Sequence, residues 1–229
     1  MRHLFFILFL APALCTAQVK TSGELLKETT QAYLDAKDLS MDVDVYTYVS
    51  ATQPGELLGQ GQIRKSGDSY YSKFLTDELI VNKNCTVVLD HNDKTITWYD
   101  HEKNKKQKNK SPELPNLDSI SGGDSIVYKG IVNGQRHFLF YSRSLFSSIR
   151  LTEVLINDQS HFVERIVYFY RDNSNDEAYD MYKVVIDYVN ISTARPSASC
   201  FSEGKYISYS KGKPVLNAAF SKYELIIAE

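Results

Sequence analysis

Groups that do chemistry must converge, so the histidines, cysteines, carboxylates and lysines come first. His101-Glu102 begins like the helical zinc motif in which a second histidine one turn later completes the metal pair, but that histidine is missing. No glycine-rich phosphate loop and no nucleophile elbow occurs. His91, His101, His137 and His161 are scattered one to an element. A single imidazole beside an aromatic, as in His137-Phe138 or His161-Phe162, reads as a strand-surface residue rather than a ligand or base. Spacing ties no two carboxylates together, although a pair assembled by the fold would leave no such trace. The expectation is a protein with no catalytic residues, no metal ligands and no cofactor. Asn84-Cys85-Thr86, Asn109-Lys110-Ser111 and Asn190-Ile191-Ser192 match the N-glycosylation triplet, which arises often by chance.

The N-terminus sets the compartment. Met1-Arg2-His3 is a short basic start, and Leu4 to Leu14 runs apolar apart from Pro12. That run is about half the roughly 20 residues a spanning helix needs, so it reads as a signal peptide over 1–17, cut after Ala17. Residues 18–229 then form one domain destined for the periplasm, with secretion or outer-membrane association as variants. In that compartment Cys85 and Cys200 form either a disulfide or a pair of buried free thiols. With 26 Lys+Arg against 28 Asp+Glu the charge is balanced, which excludes a dedicated nucleic-acid binder.

The elements that would position any site are mostly strands. Thr21-Ser22-Gly23-Glu24 is a capping box, after which Leu25, Leu26, Thr29, Ala32, Tyr33 and Ala36 share one helical face. Leu39, Met41, Val43, Val45 and Val49 then alternate with polar residues, the period of a half-buried strand. Short strands follow at 57–64, 70–76, 78–81, 86–90 and 95–99, with turns at Ser66-Gly67-Asp68 and His91 to Lys94. The pattern resumes at 125–132, turns at Asn133-Gly134, and continues at 136–141, 149–157, 162–171 and 179–189; residues 205–227 add two or three strands around Gly212. With no helices between strands, a parallel sheet is excluded and an antiparallel meander expected.

Two features bear on function. The segment Phe162 to Tyr170 is apolar at odd and even positions alike, so both sheet faces must be covered there. Either the domain closes as a sandwich or barrel, or a curved sheet keeps an apolar ligand cavity. Residues 101–124 make an unusually long connection. Its first half carries five lysines between Lys103 and Lys110, a solvated run or a dock for acidic protein or headgroups. Its second half spaces Leu114, Leu117 and Ile120 by three, as a helical lid segment would.

The order of elements resembles the LolA family of periplasmic lipoprotein carriers and related outer-membrane lipoprotein-sorting proteins. The resemblance runs through the first helix, Leu39-Ser40-Met41-Asp42-Val43, Gly61 to Tyr71, Leu79-Ile80-Val81-Asn82 and the 86–99 hairpin. It implies a mostly β (α+β) domain: a curved antiparallel half-barrel of about 10–11 strands, an N-terminal helix and a lid over an apolar cavity, with Arg64 helping to hold the lid closed. The expected function is non-catalytic, the binding or carriage of an acyl chain, lipid or lipidated protein, with peripheral membrane contact. Cavity residues would come from Tyr46, Tyr48, Trp98, Phe138, Phe140, Tyr168 and Tyr170. The alternative is a structural module pairing exposed strand edges with an envelope protein partner.

Overall fold

The structure is a computed structural model and describes residues 20–102, 125–144, 146–171 and 181–228. The proposed signal peptide and the lid residues Leu114, Leu117 and Ile120 lie outside the described residues.

Helix α1 spans Ser22–Asp35 and starts where the capping box places it. Thr21 Oγ1 accepts from the Glu24 amide at 3.3 Å, and the Glu24 carboxylate accepts from the Thr21 amide at 2.8 Å, satisfying two otherwise orphaned donors. The helix buries Leu25, Leu26, Thr29 and Tyr33. Strands follow as β1 (Asp38–Tyr48), β2 (Glu56–Ser66), β3 (Ser69–Phe74), β4 (Asp77–Val81), β5 (Cys85–Asp90) and β6 (Thr95–Asp100). Next come β7 (Ser125–Val132), β8 (Gln135–Tyr141), β9 (Ile149–Asn157), β10 (Val163–Tyr170) and β11 (Lys183–Ser192). The tail supplies β12 (Ile207–Ser210), β13 (Lys213–Leu216) and β14 (Glu224–Ala228) among three short 3-10 turns. Asn133 and Gly134 have φ of 52° and 77°, the left-handed pair that a tight β7–β8 hairpin requires.

Twelve strands form one curved, open sheet in the order β14-β6-β5-β4-β3-β2-β1-β11-β10-β9-β8-β7. The half-barrel expectation holds, with a sheet slightly wider than the 10–11 strands anticipated. The addition is β14, which pairs parallel to β6 at the sheet edge, while β12 and β13 make a separate hairpin. A parallel partner more than 120 residues away from its mate needs no turn between them, so local pattern does not reveal it. Val49 falls just beyond β1 and is exposed, outside the alternation that buries Leu39, Met41, Val43 and Val45.

Register shows how both faces of the sheet are covered. Residues paired across strands share a face. One row runs Met41, Ile63, Ser72, Leu79, Val88 and Thr97; the neighbouring row runs Ser40, Arg64, Tyr71, Ile80, Val87 and Trp98 on the opposite face. The first face carries a core of Leu25, Leu26 and Tyr33 from α1 with Leu39, Met41, Phe138, Phe140, Val154, Ile156, Val163 and Ile166. The second carries Tyr71, Ile80, Cys85, Val87, Leu89, Ile96 and Trp98 under Phe201, Tyr206 and Ile207 of the tail. The helix therefore covers one face at the β1, β8–β11 half, and the tail covers the other face at the β3–β6 half.

Candidate functional site

The α1-bearing face continues past the helix. At a strand spacing of about 4.8 Å, twelve strands span roughly 50 Å, whereas a 14-residue helix is about 21 Å long and about 10 Å wide. Beyond α1 the same face presents Val43 and Val45 of β1, Tyr70 of β3 and Val81 of β4, all buried yet part of neither core cluster. Tyr188 of β11 pairs with Val43, and Tyr168 of β10 pairs with Val184, so both look out from this face. Burial pushes the Tyr188 hydroxyl well above its ordinary range, and Tyr33, Tyr168 and Tyr70 add to the shift, which places four phenols in one neighbourhood. Tyr33 Oη accepts from the Val163 amide at 3.2 Å, and burial likewise drives its hydroxyl upward. An apolar strip rimmed by phenols can seat a hydrocarbon chain and donate hydrogen bonds to carbonyl or ester oxygens at its end.

Two polar clasps hold the covers in place. Arg136 of β8 reaches Glu28 of α1 at 2.6 Å and also binds Asp158, while Lys65 Nζ donates to the Tyr33 carbonyl at 3.1 Å. The tail is held by Glu78 of β4, whose side chain is almost completely buried. Its oxygens accept from Tyr206 Oη, from Tyr71 Oη at 3.3 Å and from Lys205 Nζ at 3.3 Å, and face His91 Nε2 at 3.0 Å and Lys73 Nζ at 3.4 Å. His91 Nδ1 meets Tyr223 Oη at 2.7 Å. Burial alone would raise the Glu78 carboxyl; hydrogen bonds from Tyr206 and His91 and the charges of Lys205 and Lys73 outweigh it and hold it at about 2. A carboxylate so saturated and so acidic is a fastener between sheet and tail, ill suited to general acid work near neutral pH.

The residues singled out in the sequence divide between faces. Phe138 and Phe140 are completely buried in the helix-side core, and Tyr168 and Tyr170 alternate onto that same face. Tyr46 and Tyr48 sit at the alternate positions of β1, on the opposite face, where Lys183 Nζ stacks 4.3 Å from the Tyr48 ring. Trp98 lies under the tail. No single surface gathers all seven. Tyr33, expected on the buried helix face, and Tyr70 and Tyr188, on strands, were not among the expected cavity residues; cross-strand register, which local pattern does not fix, sets Tyr188 opposite Val43.

Arg64 is engaged by Asp42 at 2.6 Å and by the Met41 carbonyl at 2.5 Å. Cys85 and Cys200 are both free thiols here, in place of the disulfide considered from sequence. The Cys85 thiol turns to Asn82 Oδ1 at 3.7 Å, and the Cys200 thiol turns to the Ser197 carbonyl at 2.6 Å. Asp44 and Asp187 are direct cross-strand partners, an arrangement eased by Gln60 on the former and by a two-pronged Arg165 on the latter. Among the described residues no group of three His, Cys, Asp or Glu side chains is placed to hold a metal ion.

No family profile matches the sequence, and no curated protein is similar to it. Solved structures are similar in fold. An uncharacterized conserved protein from Thermus thermophilus superposes with a TM-score of 0.46 at 9% identity, covering 88% of this chain and 98% of that one. A LolA superfamily protein from Nitrosomonas europaea gives 0.35 at 9% identity, covering 81% and 99%. A DUF1329 family protein from Desulfovibrio piger gives 0.34 at 11% identity, covering 79% and 95%. Likeness at this level carries no function from one chain to another.

Proposed function

We propose that the protein binds or carries an acyl chain, a lipid or a lipidated protein in the cell envelope, seated on the α1-bearing face of the sheet. The observation that carries this reading is the strip of Val43, Val45, Tyr70 and Val81 outside the helix-side core, bordered by Tyr168 and Tyr188, which pack against that core. Large ligand sites are mostly apolar with a few convergent polar groups, and this strip has that makeup. Native mass spectrometry of protein purified without detergent, together with titration of a fluorescent fatty acid, tests it. Wild type should retain or bind the lipid, and Tyr188→Asp, which sets a charge against apolar surface, should weaken binding at least about tenfold in a folded protein. Absence of both bound lipid and fatty-acid binding in wild type overturns the proposal.

A second reading is a module that pairs with a partner chain along the β7 edge, where Val127, Ile131 and Val132 are exposed. The register shift between Tyr128 and Gly130, with Gly130 at φ 99°, bends that edge and favours the lipid reading over it.

A further inference from the structure

A second cleft lies on the tail-covered half, apart from the α1-bearing face. It has a volume of about 870 Å³ and lies between the end of β6, the Lys83-Asn84 turn and the β12–β13 hairpin. Trp98 and Tyr209 meet edge to face in its wall, with ring centroids 6.4 Å apart at 73°. Asp100, Glu102 and Glu203 also line it, and among the described lining residues the exposed Lys83 supplies the one ammonium.

Among the described residues, Asp100 accepts from the Glu102 backbone amide at 2.8 Å, and Glu203 accepts from the Asn82 side-chain amide at 2.7 Å. Among the described residues no ion pair engages Asp100, Glu102 or Glu203. The contrast is a groove of about 910 Å³ on the other half, where Arg165 is locked to Asp187, and Glu164 to Gln135 and Asn157. The negative field of the cleft registers on its neighbours. Burial and then the charge of Glu203 raise the Cys85 thiol to about 12, and burial, Cys85, Glu203 and Asp100 together raise the Tyr209 hydroxyl.

One buried polar atom of the cleft has no partner among the described residues. His101, 3% exposed, holds Thr86 Oγ1 with Nε2 at 2.9 Å while its Nδ1 is unmatched. The Trp98 indole N–H is directed at the Cys85 thiol and the Tyr209 hydroxyl and favours the ionised form of each, against that rise. Buried polar groups are ordinarily satisfied, so an unmatched one beside a cleft points to a ligand.

We infer that this cleft binds a small organic ammonium cation. Aromatic faces attract such cations through the ring quadrupole, and the unpaired carboxylates balance the charge. A bare metal ion would need ligands converging more tightly than any described residues do.

Trp98 is the only tryptophan in the chain, so its fluorescence reports this cleft alone. Full-length mature protein is titrated with choline and, separately, with 3,3-dimethyl-1-butanol, which has the same shape and no charge, at matched ionic strength. Choline should change the Trp98 emission saturably, and the alcohol should bind at least about tenfold more weakly. Asp100→Asn and Glu203→Gln should each weaken choline about two- to fivefold with unchanged circular dichroism. Equal responses to choline and the alcohol, a non-saturating choline response, or undiminished choline binding in both folded variants would overturn the inference. So would saturable binding of a neutral oligosaccharide in place of choline. Lipid binding on the α1-bearing face is read by a different assay and can succeed or fail independently.

Discussion

The two covers of the sheet do the same job with different materials. On one face, α1 is a regular amphipathic helix whose backbone satisfies itself and whose start is fixed by a capping box, so it contributes Leu25, Leu26 and Tyr33, and its polar clasp at Glu28 is partly exposed. On the other, residues 198–223 are short 3-10 turns and a two-stranded hairpin whose backbone hydrogen bonds close short turns and one small ladder. That tail is ordered by three large side chains, Phe201, Tyr206 and Ile207, and by one buried carboxylate that gathers partners from both sides. The irregular cover thus depends on a specific polar contact where the regular one depends on shape. Among buried interactions, specific polar contacts are the ones most sharply lost when one partner is removed.

The strongest way to break the comparison is to remove one fully buried aromatic from each side. Phe138 and Tyr206 are both inaccessible to solvent. Phe138→Ala and Tyr206→Ala should each cost about 3–5 kcal/mol in urea unfolding. Hydrogen exchange tells them apart: Phe138→Ala should loosen α1 and β7–β9, and Tyr206→Ala should loosen 198–223 while α1 stays protected. If both variants loosen both covers equally, the sheet transmits strain between its faces and the molecule is one cooperative unit.

Glu78→Gln asks how much of the tail's attachment is ionic. The folded carboxyl sits at about 2, below its ordinary 4.5, so its contribution is complete above about pH 4.5 and is lost as pH falls toward 2. The shift corresponds to about 3 kcal/mol. Glu78→Gln should therefore be about 2–3 kcal/mol less stable than wild type at pH 7, and the two stability curves should converge between about pH 4.5 and 2. Parallel curves over that range would mean that Tyr206 and Tyr71 hold the position by hydrogen bonding alone.

The two covers also differ in how far sequence reveals them. Helix α1, its cap and its buried face follow from local spacing, since Thr21, Glu24, Leu25, Leu26, Thr29 and Tyr33 all lie within about four turns of one another. Most sheet strands follow equally well, because alternation and turn residues are local. What escaped is non-local. Glu78 reads as an ordinary polar start to a strand, and only the fold brings Tyr206 and Lys205 to it across more than 120 residues. The cavity residues suffered in the same way: Tyr46 and Tyr168 are both tyrosines on strands, but register sends them to opposite faces. Trp98, expected among the cavity residues, lies beneath the tail.

A smaller test sharpens the helical side. Thr21→Ala removes the cap that accepts from Glu24 and should cost about 1 kcal/mol, while Thr21→Ser should be nearly silent. The loss should register as faster exchange in the first turn of α1. A cost near zero would mean that packing of Leu25 and Leu26 alone fixes where the helix begins.

The smallest effect is expected at Glu28, the acid of the helix clasp, and it makes the difference between the covers quantitative. Its carboxyl is held at about 2, first by Lys20 and then by Arg136, so the sign of its pH dependence matches that of Glu78: stabilising above about pH 4.5, fading as pH falls toward 2. The settings differ. The Glu28 side chain is 25% exposed and Lys20 is 57% exposed, so water and salt screen much of the attraction, whereas the Glu78 side chain is 2% exposed. Glu28→Gln should therefore cost no more than about 1 kcal/mol at low salt and less at high salt. Glu78→Gln should keep most of its cost at both, because ions cannot enter where that carboxylate lies. Urea unfolding of both variants at pH 7 and two salt concentrations decides it. An equally salt-sensitive loss at the two sites would show that the tail opens readily enough to wet Glu78, making it the looser of the two covers.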